Sequence, residues 1–162
     1  METSMMDQVW GEPDTDESAR VIRHAREWIG TPYRHQSSCK GAGADCLGLI
    51  RGVWRELIGP EPQLVPPYTP DWSETDGTED FLQAAHRHLI PVCTTEACPG
   101  DIAILRMRDG GVAKHAGFLA RSEHGYRTLI HAYSGHGVVE SPLTPAWSRK
   151  IAAVFRFPDR RN

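Results

Sequence analysis

No stretch of this 162-residue chain approaches the roughly 20 consecutive apolar residues that a membrane-crossing helix needs. Basic residues form no stripe: 18 Lys and Arg stand against 21 Asp and Glu, a formal net charge of −3, so direct nucleic-acid binding is not expected. The segment Met1 to Ser18 is acidic and has no apolar core, so the sequence predicts synthesis in the cytoplasm without a secretory signal. Cysteine is scarce. Cys39, Cys46, Cys93 and Cys98 lack the two-residue spacing of a structural zinc knuckle, and a chain of this length has no need of disulfide staples, so they read as free thiols. There are no internal repeats. What is present is 40% apolar residues and five tryptophans, enough for one packed domain.

Residues 1–15 read as a flexible acidic arm, and 16–158 as a single domain. Ala19, Ile22, Ala25, Trp28 and Ile29 fall at helical spacing between Asp16 and Ile29, and Gly30-Thr31-Pro32 ends that helix. Tyr33 to Ala44 is a glycine- and serine-rich loop. A second helix is expected from Cys46 to about Ile58, with Leu49, Ile50, Val53, Trp54 and Leu57 inward and Gly59-Pro60 as its stop. A stiff, proline-rich insertion occupies 60–77. A short helix follows from Thr78 or Glu79 to Leu89, and beyond Pro99-Gly100-Asp101 the pattern changes to strands over 102–107, 115–120, 126–133, 137–140 and 152–157. Helices followed by an antiparallel meander make an α+β layout, with N-terminal helices packed on a C-terminal sheet.

Chemistry concentrates at three positions. Asp45 can cap the second helix, which puts Cys46 at its positive end. A free thiol is mostly protonated at neutral pH, and a helix N-terminus together with an imidazole would shift it towards the reactive thiolate. His115 opens a strand and is the candidate base. His131 follows a hairpin's length later and is placed to stand beside it and fix its tautomer. Gly48 is expected to leave room for a substrate backbone, and the amides of Gly41-Ala42-Gly43-Ala44 to face a developing oxyanion. Of the other histidines, His35 is the best placed for a role, in the loop ahead of Cys46.

The ordered string Gly30-Thr31-Pro32-Tyr33, Asp45-Cys46-x-Gly, Gly100-Asp101, His115-x-Gly-Phe and Ile130-His131-Ala132 resembles that of the NlpC/P60 family, papain-like cysteine peptidases of bacterial cell walls. The resemblance implies a papain-like fold, Cys46 as nucleophile, His115 as base, His131 as orienting residue and Tyr33 as the active-site tyrosine. It also implies cleavage of peptidoglycan stem peptides, typically at the γ-D-glutamyl–diaminopimelate bond, with no metal or organic cofactor. Two departures fall on the rim of the site: His35 to Cys39 replace the usual glycine pair, and Leu47 stands where serine is frequent. Cys-Leu-Gly-Leu and Pro-Pro-Tyr-x-Pro-x-Trp resemble the branch carried on the tails of phages and gene transfer agents. That implies other tail-tip proteins as partners and action in the target cell's periplasm; docking is expected through the Pro60–Trp72 insertion, with Tyr68 and Trp72 as aromatic anchors, or through the acidic arm. The alternatives are a non-catalytic tail-tip component, or a cysteine amidase or acyltransferase with the same triad.

Overall fold

The computed structural model describes residues 15–66, 68 and 79–158. The acidic arm, apart from Thr15, lies outside these residues, as do Pro67 and 69–77 of the proline-rich insertion, including the expected anchor Trp72.

Helix α1 (Thr15–Glu27) carries Asp16 and Glu17 in its first turn and His24 and Arg26 in its last, charges that complement the helix dipole. Val21 and Ala25, with Trp28 just past the helix, are buried. Of the helically spaced apolar residues, Ile29 is 44% exposed and Ala19 is exposed as well. The amides of Trp28 and Ile29 bond three residues back, to Ala25 and Arg26. This tighter 3₁₀ winding turns Ile29 off the apolar stripe. The loop that follows contains a two-stranded ribbon, β1 (Ser38–Cys39) with β2 (Gly43–Ala44), too short to give an alternating sequence signal. Helix α2 (Cys46–Leu57) buries Leu49, Ile50, Val53 and Leu57 as its pattern requires. Helix α3 (Asp80–His88) buries Phe81 and Ala85, with Leu82 and Leu89 partly covered.

Strands β3 (Ile90–Val92), β4 (Ile102–Leu105), β5 (His115–Arg121), β6 (Arg127–Tyr133), β7 (Gly137–Pro142) and β8 (Ile151–Arg156) form one antiparallel sheet in the order β3-β8-β4-β5-β6-β7. β3 gave no sequence signal: it has three residues, one of them Pro91, which an edge position tolerates. A single helical turn, α4 (Pro145–Ser148), is likewise too short to carry a sequence signal. Thr144 caps it by accepting the Trp147 amide, and Pro145 stands at its start.

The helices cover one face of the sheet, where Trp28, Leu49 and Val53 join Phe118, Ile130 and Phe155 in a single core. On the opposite face Leu105, Leu119, Leu129 and Val154 are covered by Met107, Leu143 and Trp147. The strand ends nearest the start of α2 therefore lie between two hydrophobic layers. The layout is the α+β arrangement of helices on an antiparallel sheet.

Candidate active site

Asp45 fixes the start of α2 with both carboxylate oxygens. Oδ1 accepts the Gly48 amide at 2.7 Å, and Oδ2 accepts the Gln36 amide at 2.8 Å. Gly48 is needed for a different reason from the one its place in the motif suggested. A Cβ there would lie 1.9 Å from the Ser37 carbonyl oxygen, so the glycine admits the chain's own loop rather than a substrate backbone. The loop amides are likewise spent internally. Gly41 donates to Thr31 Oγ1 at 2.9 Å, Ala42 to the Cys39 carbonyl at 3.0 Å and Ala44 to the Pro32 carbonyl at 3.0 Å. The amides that do bond towards the Cys46 sulfur are those of Ala116, Leu47 and Cys46, not those of Gly41–Ala44. The same bonds clamp Gly30–Tyr33 to the segment before Cys46, and Tyr33 bridges Ala44 in parallel.

His115 and His131 come together across the β5–β6 pairing. His115 Nε2 lies 2.8 Å from His131 Nδ1. Continuing the register of Phe118 with Ile130 places Gly117 opposite His131, so the two histidines are diagonal rather than direct neighbours. Gly117 makes the diagonal possible. A Cβ on it would sit 2.9 Å from His131 Cβ and 2.8 Å from the Ile130 carbonyl oxygen. The His131 ring is fully buried, stacked on Tyr133 at 5.5 Å and met edge-on by Trp147 at 5.2 Å. Its Nε2 reaches Ser141 Oγ at 3.2 Å.

A small cavity of about 170 Å³ opens onto this cluster, lined by Tyr33, Cys46, Tyr68, Lys114, His115 and Tyr133 among others. Cys46 Sγ donates to the Lys114 carbonyl at 3.5 Å. With Nε2 of His115 committed to His131, Nδ1 is the ring nitrogen left for the thiol. Electrostatics here differ from the resting thiolate that the helix position suggested. Burial first, and the Asp45 carboxylate second, push the Cys46 thiol up to about 12, against the pull of the three nearby amides. Burial, with the neighbouring His131, lowers His115 to about 3, and burial, with His136, lowers His131 to about 4. Both histidines and the thiol therefore rest neutral. The helix end does favour the thiolate, but the depth of the site and its capping carboxylate outweigh it. Burial, with the Asp45 carboxylate nearby, also raises the Tyr33 phenol above its ordinary value.

Two residues of the site were not assigned to it from the sequence. Tyr68, expected as an external anchor, folds back beside the candidate site. Its hydroxyl donates to Asp45 Oδ2, its carbonyl accepts from His35 Nε2 at 2.6 Å, and its ring meets His35 edge-on at 4.9 Å. Burial and the Asp45 carboxylate push its phenol far above the ordinary value. Its place in an aromatic- and proline-rich run was the only signal available. Ser141 is the other, in a strand whose sequence singles out no residue. His35, flagged for its position, does line the cavity. Elsewhere, His24, Glu27 and Glu56 approach within metal-ligating distance of one another. The Lys40 ammonium already bridges the two carboxylates there, at 2.8 and 2.7 Å.

No family model matches the sequence, and no curated protein does. Solved structures do resemble the fold. An NlpC/P60 family protein from Bacillus cereus superposes with a TM-score of 0.59 at 19% identity, covering 86% of this chain and 40% of its own. The NlpC/p60 domain of the peptidoglycan hydrolase SagA gives 0.54 at 23% identity, covering 86% of this chain and 98% of that domain. An N-acetylmuramoyl-L-alanine amidase from Bacteroides uniformis gives 0.59 at 14% identity, covering 90% of this chain and 100% of the amidase. This chain thus spans less than half of the Bacillus cereus protein but nearly all of the other two. Its structural neighbours are NlpC/P60 proteins at low identity, and the chain has the NlpC/P60 fold.

Proposed function

We propose that the chain is a cysteine peptidase that hydrolyses peptidoglycan stem peptides, with the γ-D-glutamyl–diaminopimelate bond as its target. One observation carries this reading: Cys46 at the start of α2 and His115 line one cavity, and His115 is held from behind by His131 at 2.8 Å. The stem-peptide class rests on the ordered motifs and on the cell-wall hydrolases among the structural neighbours.

Attack begins from the neutral pair. Sγ adds to the scissile carbonyl carbon as its proton passes to His115 Nδ1, and the carbonyl oxygen becomes an oxyanion facing the Cys46 and Leu47 amides. Making the thiolate only as the new bond forms avoids leaving an unpaired charge in a buried site. The His115 imidazolium then gives its proton to the departing amine, the C–N bond breaks, and a thioester remains on Sγ. Water, deprotonated by His115, attacks the thioester, and the thiol leaves with its proton restored. His131 keeps His115 in the orientation and tautomer that both steps need. Tyr33 and Tyr68 form the walls against which the stem peptide is held.

The wider placement is a phage-like tail, which would carry the protein to the wall of a target cell. It rests on the Cys-Leu-Gly-Leu and Pro-Pro-Tyr-x-Pro-x-Trp sequences. Tyr68 is engaged within the site, so docking to other tail-tip proteins falls to the acidic arm or to the rest of the insertion. The amidase among the neighbours favours a second reading, the same chemistry at a different amide of the stem.

Digesting purified peptidoglycan and identifying the fragments by mass spectrometry separates these readings. New amino termini on diaminopimelate support the peptidase, and a free lactyl carboxylate on the glycan supports the amidase. No release by a folded protein would support a tail component without activity. Purified tail particles should contain the chain at low copy number; its presence only as a free protein would overturn the placement and leave the chemistry untouched.

A further inference from the structure

The two histidines raise a question of protons. A neutral imidazole carries one N–H and one bare nitrogen, and a ring as deeply buried as His131 needs a partner for each. His115 can take the thiol's proton at Nδ1 only if that nitrogen is bare, so its hydrogen must sit on Nε2. That hydrogen points at His131 Nδ1, 2.8 Å away, which must therefore be an acceptor. His131 then carries its own hydrogen on Nε2, and the nearby acceptor is Ser141 Oγ at 3.2 Å. The opposite arrangement places a hydrogen on His131 Nδ1. It would force His115 to hold its hydrogen on Nδ1, where it cannot act as a base towards Cys46.

The sheet explains why a serine stands there. Register pairs Leu129 with Ser141 and His131 with Val139, so Ser141 shares the face of β6 that carries the His131 ring. Val139, directly opposite, can take no proton, and Gly117 on the other flank has no side chain. Tyr133 is stacked ring to ring with His131 and presents its face. A hydroxyl has two lone pairs and can accept here while its own hydrogen turns away.

We propose that Ser141 is a positioning residue of this site: its hydroxyl accepts the His131 Nε2 hydrogen and thereby holds His131, and through it His115, in the tautomer that can deprotonate Cys46. The inference rests on the Cys46–His115–His131 reading, and its first test needs no substrate. In the full chain labelled with ¹⁵N-histidine, NMR at neutral pH should show His131 protonated at Nε2 in the wild type. In Ser141→Ala the Nδ1-protonated form should gain population. With stem peptide, Ser141→Ala should lower kcat by about tenfold at unchanged KM, because it alters the fraction of competent base and not the binding walls. Ser141→Thr, which restores a hydroxyl, should recover most of the loss. If the natural substrate proves to be another acyl compound, the rate of Cys46 alkylation by iodoacetamide replaces kcat and should show the same order of variants. A wild-type His131 protonated at Nδ1 overturns the proposal, whether or not the variants fold. So does a folded Ser141→Ala with an unchanged tautomer and rate.

Discussion

Lowering the pH from 7 to about 4.5 tests whether His115 and His131 are held neutral inside the fold, as their burial dictates. Both have pKa values pushed below the ordinary 6.5, to about 3 and about 4. Below pH 6.5 the unfolded chain binds protons at these positions that the folded chain excludes. The stability they confer is therefore complete above that value and is lost as pH falls towards the folded values. At about pH 4.5, some two units below the unfolded pKa, each histidine should cost on the order of 2–3 kcal/mol. That is a large share of the ~5–15 kcal/mol that stabilises a domain of this kind. Urea unfolding at a series of pH values between 7 and 4.5 measures the slope. Carboxylates also contribute to acid unfolding, so the comparison that matters is with His115→Gln and His131→Gln. Each variant should remove its own share of the pH dependence while leaving the carboxylate part in place. Wild-type slopes in both folded variants would refute the claim that these rings are buried neutral.

Cys46→Ala should fold and show no hydrolysis, whereas Cys39→Ala, Cys93→Ala and Cys98→Ala should keep wild-type turnover; digestion of peptidoglycan by Cys46→Ala would remove the nucleophile from this position. His115→Ala should reduce kcat by roughly 10²–10⁴-fold and His131→Ala by less, since one transfers the proton and the other only orients; steady-state kinetics showing the reverse order would exchange their roles. Tyr68→Phe removes the hydroxyl that Asp45 Oδ2 accepts. It should slow iodoacetamide alkylation of Cys46, because the barer Asp45 carboxylate disfavours the thiolate further; an unchanged or faster rate would count against this influence of Asp45 on Cys46. Gly117→Ala should cost about 1–3 kcal/mol in urea unfolding, because its Cβ has no room beside Ile130 and His131.

The helical spacing of Val53 and Leu57, the cap at Asp45 and the alternation in β5 and β6 are local properties, and the sequence alone placed them. Spacing also singled out Cys46, His115 and His131 as candidates, since a thiol at a helix start and histidines on successive strands can be read from order along the chain. Three things needed the folded chain, because each depends on residues far apart in sequence. The ionisation of Cys46 is set by the depth of the site and by which charge sits beside it, and neither is encoded in the helix that carries the sulfur. Gly48 and Gly117 look like motif glycines, yet their necessity lies in the Ser37 carbonyl and the His131 side chain that press against them. Tyr68 and Ser141 join the site only because Tyr68 reaches back to Asp45 and because β7 pairs with β6 in one register. A shift of that register by one residue would turn the Ser141 hydroxyl to the opposite face of the sheet from His131.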